Sequence, residues 1–140
     1  MSSYTFIDNS PEVLQALEEA KKRGLKAIGM AGEGYAKDVL SETVYTGKKP
    51  WPLTGRLRNS ITYATANEHG IGEDPATPPD YTPRGTPEED AVYIGTNVEY
   101  AAGIELGTHR RAGAVHFLQR AAMEHGEEYK AIMEDSLRNA

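Results

Sequence analysis

Apolar residues recur at steps of three and four along the first third of the chain, from Ser10 to about Leu40. The stripe includes one lysine and comprises Leu14, Leu17, Lys21, Leu25, Ile28, Gly32, Tyr35 and Val39. This period is typical of a long helix with one buried face, and Ser10 followed by Pro11 suits its first turn. The pattern therefore predicts one long N-terminal helix.

Four glycines interrupt this predicted helix, at positions 24, 29, 32 and 34. Each costs about 1 kcal/mol relative to alanine in a helix interior, so a kink or break near Gly24 is one interpretation. Small residues on a packed face also let a second backbone come close. We favour this second interpretation, close packing of the helix on a sheet within one fold.

Two short segments have the alternation of strands with one buried side. In the first, Ile61, Tyr63 and Thr65 share a face and alternate with small residues, as expected for a strand that covers a core. The second segment runs from Ala91 to Thr96. We expect the two strands to pair as a wide hairpin.

Helical spacing returns after the second strand. A short amphipathic turn carries Val98, Tyr100, Ala101 and Ile104 and ends at Gly107, and we expect Tyr100 and Ile104 to lie in the core. A C-terminal helix follows, with an apolar face made of Val115, Leu118, Ala122, Tyr129, Ile132 and Leu137. Two helices packed on a small, mainly antiparallel sheet form an α+β fold. We expect one domain over residues 1–140, with residues 1–9 as an N-terminal arm.

Charge is distributed unevenly along the chain. Residues 1–66 carry nine Lys/Arg and seven Asp/Glu, whereas residues 67–140 carry six and fourteen. Most of the excess lies in residues 67–90, which hold one base, five of the eight prolines and seven acids: Glu68, Glu73, Asp74, Asp80, Glu88, Glu89 and Asp90. Proline removes backbone donors and the acids repel one another, so this acidic segment is predicted to be a long exposed loop between the two strands.

No arrangement of residues in the sequence supports catalysis or a cofactor. The chain has no cysteine, no Gly-x-Ser-x-Gly nucleophile motif and no His-Glu-x-x-His metal motif. The segment Thr46-Gly47-Lys48-Lys49 lacks the upstream glycine and the hydroxyl residue of a phosphate-binding loop. The four histidines are scattered, and we expect His116 and His125 to be solvated or hydrogen-bonded on a helix flank. We therefore expect no enzyme activity, no cofactor and no metal site.

No apolar run approaches the roughly 20 residues that a membrane span needs, so the sequence favours a soluble protein without a membrane partner. The polar N-terminus also lacks the basic start and apolar core of a secretory signal.

Three blocks of sequence carry a resemblance to a known family. They are Thr54-Gly55-Arg56-Leu57-Arg58-Asn59-Ser60-Ile61, then Val92 to Thr96 with Tyr100-Ala101 and Ile104-Glu105-Leu106-Gly107-Thr108, and last His116-Phe117-Leu118. In this order, behind a long N-terminal helix, they resemble the "gene product ten" tail-component family of long-tailed bacteriophages, a group of neck or head–tail joining proteins. The resemblance runs from about Val13 to Leu137. Two features depart from it: the acidic segment is longer than the family usually carries, and Arg110-Arg111-Ala112-Gly113 stands where members tend to have a proline-rich approach to the final helix.

The resemblance implies a virion structural protein that forms a homo-oligomeric ring in the phage neck, with genomic DNA passing through the lumen. Its neighbours would be a head-closure or connector protein and a tail terminator or tail tube protein, and it would occupy the host cytoplasm during assembly. The candidate subunit-interface or motif residues are Thr54, Gly55, Arg56, Arg58, Glu99, Tyr100, Glu105, Gly107 and Thr108. Arg56 could pair with Glu99 or Glu105 of its own chain or of a neighbour. The acidic segment would either line the lumen or contact a neighbouring ring protein.

A small nucleic-acid-binding module is the alternative. Basic clusters occur at Lys21-Lys22-Arg23 with Lys26, at Arg56 with Arg58, and at His109-Arg110-Arg111, and they could contact phosphates if folding gathers them on one face. The net charge of −6 argues against this alternative, because such modules usually carry excess positive charge.

Overall fold

The computed structural model describes residues 7–43, 56–68, 87–96, 98, 100–107 and 114–140. Within these ranges the elements are α1 (Ser10–Thr43), α2 (Arg56–Ser60), β1 (Thr62–Thr65), β2 (Val92–Gly95), α3 (Ala101–Leu106), α4 (Phe117–Met123) and α5 (Gly126–Arg138). The chain is thus helix-rich with a small two-stranded sheet, which confirms the expected α+β class. Most of the acidic segment, residues 69–86, lies outside the described residues, as do residues 1–6 of the predicted arm.

The two strands pair antiparallel, as the alternation predicted. Tyr63 lies opposite Ile94 in the register. The first strand begins later than expected, because residues 56–60 form the short helix α2 and the Ile61 amide donates to the Arg58 carbonyl. The prediction of a single buried side was wrong for β1, since Thr62 and Ala64 are buried as well as Tyr63.

The long helix α1 is continuous through all four glycines, so the break near Gly24 does not occur. A β-carbon added at Gly29 would lie 2.8 Å from Tyr63 Cβ and 2.8 Å from Val92 Cγ2, both on the sheet. One added at Gly24 would lie 2.7 Å from Met133 Sδ of α5. Gly32 likewise approaches Ile94 of the sheet. Gly24, Gly29 and Gly32 let the sheet and α5 approach the helix backbone closely, which confirms the interpretation that we favoured.

The core lies around the C-terminal third of α1. Ten buried residues pack together there: Ala36, Val39, Leu40, Leu57, Ile61, Val98, Ala101, Ile104, Phe117 and Ala121. They come from α1, α2, α3 and α4 and from the segments that flank β1 and α3. Phe117 is among the largest fully buried side chains, and burying a side chain of this size contributes on the order of 2–3 kcal/mol.

The C-terminal region forms two helices, not the single helix that the apolar face predicted. α4 ends at Met123 and α5 begins at Gly126, with a turn between them in which the Glu124 amide still bonds the Arg120 carbonyl. The predicted face was also wrong within α4, where Phe117 and Ala121 are buried and Ala122 is exposed. The periodicity failed because it was read across the turn as if the two helices were one.

The His125 ring lies in the turn between α4 and α5 and stacks on Tyr35 of α1, with ring centroids 3.5 Å apart and planes 5° apart. Tyr129 of α5 donates its hydroxyl hydrogen to the Ala121 carbonyl of α4. These contacts link the two C-terminal helices to each other and to α1. None of the helices in the described ranges has the combination of length and apolar character needed to cross a membrane.

The first turns of α1 differ from the prediction. Leu14 and Leu17, which the apolar stripe assigned to the buried face, are exposed, and Ala20 is the first buried residue of the helix. Lys21, also on that stripe, forms ion pairs with Glu18 and Asp90. The buried stripe of α1 is therefore shorter than the periodicity suggested.

Candidate functional site

The sequence blocks of the family resemblance meet in space. Leu57 and Ile61 of the first block pack in the same core as Ala101 and Ile104 of the second and Phe117 of the third. Hydrogen bonds add to this contact at two junctions, described next. The blocks therefore form one structural unit, although residues 57 and 117 are far apart in the sequence.

The first junction joins α3 to α4 through Glu105. Its carboxylate accepts the Leu118 amide at 2.9 Å and the Gln119 amide at 3.0 Å. These amides belong to the first turn of α4, where N–H groups have no partner inside the helix, and a negative charge there also interacts favourably with the helix dipole. Glu105 is thus an N-terminal cap for a helix that starts twelve residues further along the chain.

The same junction satisfies the other end of α3. The Val115 amide donates to the Ile104 carbonyl at 2.9 Å, and the His116 amide donates to the Glu105 carbonyl at 3.2 Å. These carbonyls lie in the last turn of α3, which lacks intrahelical donors. Gly107, with φ of 85°, ends α3 as expected, and His116 enters α4 with φ of 55°, a conformation that costs energy in a non-glycine residue.

The second junction joins α2 to the chain after β2. Ser60 Oγ lies 2.6 Å from the Leu57 carbonyl, to which it donates, and 2.5 Å from Thr96 Oγ1. A serine hydroxyl has one hydrogen, so Thr96 is the donor in the second contact. Thr96 Oγ1 in turn accepts the Val98 amide at 3.1 Å. This chain of three bonds fixes the segment that leads into α3.

The described candidate interface residues have different surroundings. Arg58 donates its Nε hydrogen to Ser41 Oγ of α1 at 2.8 Å. Tyr100, expected in the core, is 40% exposed, whereas Ile104 is 6% exposed, so the core expectation is confirmed for Ile104 and wrong for Tyr100. The other candidates, Thr54, Gly55, Glu99, Thr108 and the Arg56 side chain, lie outside the described residues, and so does the predicted pairing of Arg56.

Both described ends of the acidic segment contact α1. Lys21 Nζ lies 2.6 Å from Asp90 Oδ1, and Lys26 Nζ lies 3.4 Å from Glu68 Oε2. The Asp90 and Glu18 carboxylates raise the pKa of the Lys21 ammonium. Glu88 and Glu89 are exposed, and Glu73, Asp74 and Asp80 lie outside the described residues.

A cleft of about 290 Å³ lies between α1 and these two ends, lined by Lys22, Arg23 and Lys26 on one side and by Thr65, Glu68 and Glu89 among others. Its lining carries charges of both signs. Three of the four bases in the cluster on α1, Lys21, Lys22 and Lys26, are each within 4.0 Å of a carboxylate. This basic stretch is therefore largely neutralised by the chain's own acids, a pairing that separate charge counts along the sequence could not reveal.

The two described histidines are packed more closely than expected. The Nδ1 atoms of His116 and His125 are buried and make no hydrogen bond, so the expectation of a solvated or hydrogen-bonded site was wrong for these atoms. Within the described ranges, no three His, Asp or Glu side chains are grouped so that they could hold a metal ion.

Sequence reasoning missed the roles of Glu105, Ser60 and Thr96. One signal was available for Lys21, because a charge within an apolar stripe indicates a nearby partner.

Comparison with protein-family models, with curated proteins and with solved structures found no match for this chain.

Proposed function

We propose that this chain is a structural protein of the neck of a long-tailed bacteriophage. Copies of it form a ring at the head–tail junction, and DNA passes through the lumen. The observation that carries this proposal is the convergence of the resemblance blocks on one core, closed by Glu105 on α4 and by the Ser60–Thr96 contact. The side chains of these motif residues pack against one another and form hydrogen bonds within the chain. This supports a structural role for the motif.

The partners in this proposal are other copies of the chain, a head-closure or connector protein on one side, and a tail terminator or tail tube protein on the other. The DNA contact is not sequence-specific. Glu68 and Asp90 place the ends of the acidic segment along α1, and the segment between them either lines the lumen or contacts a neighbouring ring. Lumen-lining carboxylates would keep DNA mobile because like charges repel.

The nucleic-acid module has less support. Its main basic cluster lies on α1, where Lys21, Lys22 and Lys26 already pair with carboxylates of the same chain. Phosphate contacts there would have to displace Asp90 or Glu68. Tight DNA binding by the isolated chain with a steep salt dependence would favour this alternative over the neck protein.

The decisive experiment locates the chain in particles. The gene is deleted from the phage that carries it and supplied in trans with an epitope tag after Ala140, an exposed residue. We expect antibody label at the neck of purified particles, and filled heads separate from tails when no copy is supplied. Untagged protein supplied in trans is the control for labelling. Label on the tail tip or the head shell, or normal particles without the chain, would contradict the proposal.

The acidic segment has its own test in the same system. We replace its seven acids, the aspartates by asparagine and the glutamates by serine, and count infectious particles that retain their DNA. We expect a loss of DNA retention or of joining. Unchanged assembly and DNA release would contradict both roles of the segment while leaving the location of the chain unaffected.

A further inference from the structure

Arg23 differs from the other three bases of the α1 cluster. Lys21, Lys22 and Lys26 each lie within 4.0 Å of a carboxylate, whereas Arg23 forms no ion pair and no hydrogen bond with any residue that the structure describes. Arg23 lines the cleft between α1 and the two ends of the acidic segment. A guanidinium carries five N–H donors in a planar fork. All five are therefore open to a ligand that enters this cleft.

Two lysines that line the same cleft are held loosely. Lys22 Nζ lies 3.9 Å from Glu19 Oε1, and Lys26 Nζ lies 3.4 Å from Glu68 Oε2. Neither ammonium donates a hydrogen bond within the described part of the chain. Both lysine side chains are about half-exposed, and ion pairs of this kind contribute little to stability. Lys22 and Lys26 can therefore turn to a new acceptor at low cost.

The three bases belong to little more than one turn of α1. Lys22 and Lys26 are one turn apart on the helix, and Arg23 and Lys26 are three residues apart, so the three side chains are neighbours on its surface. Across the cleft, Asn67 adds a side-chain amide. The volume of about 290 Å³ lies at the lower end for small-molecule sites. An arginine fork with two ammonium groups suits one compact group that has several acceptor oxygens, and a phosphate is such a group.

Three carboxylates also line the cleft, those of Glu19, Glu68 and Glu89. They do not make it a cation site, because no three His, Asp or Glu side chains in the described ranges are grouped so that they could hold a metal ion. Glu19 and Glu68 already face lysines. Their negative charge opposes an anion, so phosphate binding is weak, in the millimolar range, and removal of these carboxylates strengthens it.

We propose that this cleft binds a phosphate group, held by the fork of Arg23 and by the ammonium groups of Lys22 and Lys26. Lys26 exchanges Glu68 for a phosphate oxygen when the site is filled. A free phosphate compound and a DNA backbone both present this chemistry. The site goes beyond the proposed neck function and does not depend on it.

Thermal unfolding of the full chain tests the site, with inorganic phosphate as the probe and sodium chloride at equal ionic strength as the reference. Phosphate at about ten times its dissociation constant should raise the Tm by about 5 °C over chloride. Calorimetric titration then gives the phosphate affinity of each variant. Arg23→Gln should weaken it by about tenfold or more, because the hydrogen bonds to a charged group are lost. Arg23→Lys keeps the charge without the fork and should fall between the two.

A matched control makes the same substitution at Arg120. This residue lies on α4, which packs on the C-terminal third of α1 around Ala36, about 20 Å further along the helix than Arg23. Arg120→Gln should leave phosphate affinity unchanged, and Glu68→Gln combined with Glu89→Gln should raise it several-fold. Circular dichroism in chloride checks that each variant is folded.

Three results would overturn the proposal. They are a Tm in phosphate no higher than in chloride, equal phosphate affinity of wild type and Arg23→Gln, and an equal loss of affinity in Arg120→Gln. A parallel titration with a short DNA duplex identifies the source of the phosphate. Duplex binding that Arg23→Gln weakens would support the site and assign it to the DNA backbone. Phosphate binding without duplex binding would support the site and assign it to a free phosphate compound.

Discussion

Replacing Glu105 by alanine removes both side-chain acceptors from the first turn of α4. The Leu118 and Gln119 amides, now 2.9 and 3.0 Å from the carboxylate, are left to water or without a partner. Because Glu105 belongs to α3, the substitution also removes two hydrogen bonds between α3 and α4 and so weakens the attachment of α4. The sequence alone suggested a surface role for Glu105, so the variant separates a fold-stabilising role from an interface role.

The expected loss of stability follows from the geometry. A helix-capping side chain contributes roughly 0.5–2 kcal/mol, and hydrogen bonds to a charged acceptor contribute about 1.5–3 kcal/mol when well buried. Glu105 and Leu118 are only half-buried, so we expect Glu105→Ala to lower the free energy of unfolding by about 2 kcal/mol. Glu105→Gln retains one oxygen acceptor and should lose about 1 kcal/mol, since its amide group cannot accept the second N–H.

Urea denaturation followed by circular dichroism measures these changes. A loss of about 2 kcal/mol moves the midpoint by roughly 1 M for a domain of this size. Asp38→Asn is the control, since Asp38 is exposed on α1 away from both helix ends, and we expect it to shift the free energy of unfolding by less than about 0.5 kcal/mol. If Glu105→Ala unfolds at the same urea concentration as the Asp38 control, the cap does not stabilise the isolated chain and our reasoning about the junction is wrong.

Further predictions concern packing, charge and pH. Gly29→Ala should lower the free energy of unfolding by about 1–3 kcal/mol, because its β-carbon would lie 2.8 Å from sheet atoms. Gly34→Ala, which has open space around it, should raise the free energy of unfolding by about 0.5–1 kcal/mol. Urea denaturation measures both changes, and two changes of the same sign would contradict this reasoning. The triple variant Glu18→Gln, Glu68→Gln and Asp90→Asn removes the carboxylates that pair with Lys21 and Lys26, so the salt dependence of DNA binding should steepen by about 0.9 per added phosphate contact. An unchanged slope would show that these pairs do not mask the two lysines. Burial raises the pKa of the Tyr129 hydroxyl, so its contribution to stability is complete below the ordinary pKa of about 10 and is lost as the pH rises through the higher native value. The stability difference between wild type and Tyr129→Phe should therefore shrink between about pH 8 and about pH 11, and a constant difference would contradict this assignment.

Local sequence patterns predicted α1, both strands and the turn that ends at Gly107, because each depends on periodicity or on a residue type suited to one backbone conformation. The same patterns could not place the break before Gly126. An apolar face continues across a short turn in the sequence even when two helices replace one, so periodicity does not detect the break.

The sequence by itself determined the α+β class, the glycines that allow close approach to α1, and the concentration of acids in residues 67–90. The tertiary structure alone decided which charges meet. It placed Asp90 on Lys21, Glu68 on Lys26 and the Glu105 carboxylate on the first turn of α4. It also decided where the buried stripe of α1 ends, since that depends on the length of α5. Periodicity is local and can be read along the chain, whereas ion pairs, distant caps and the limits of burial depend on which segments folding brings together.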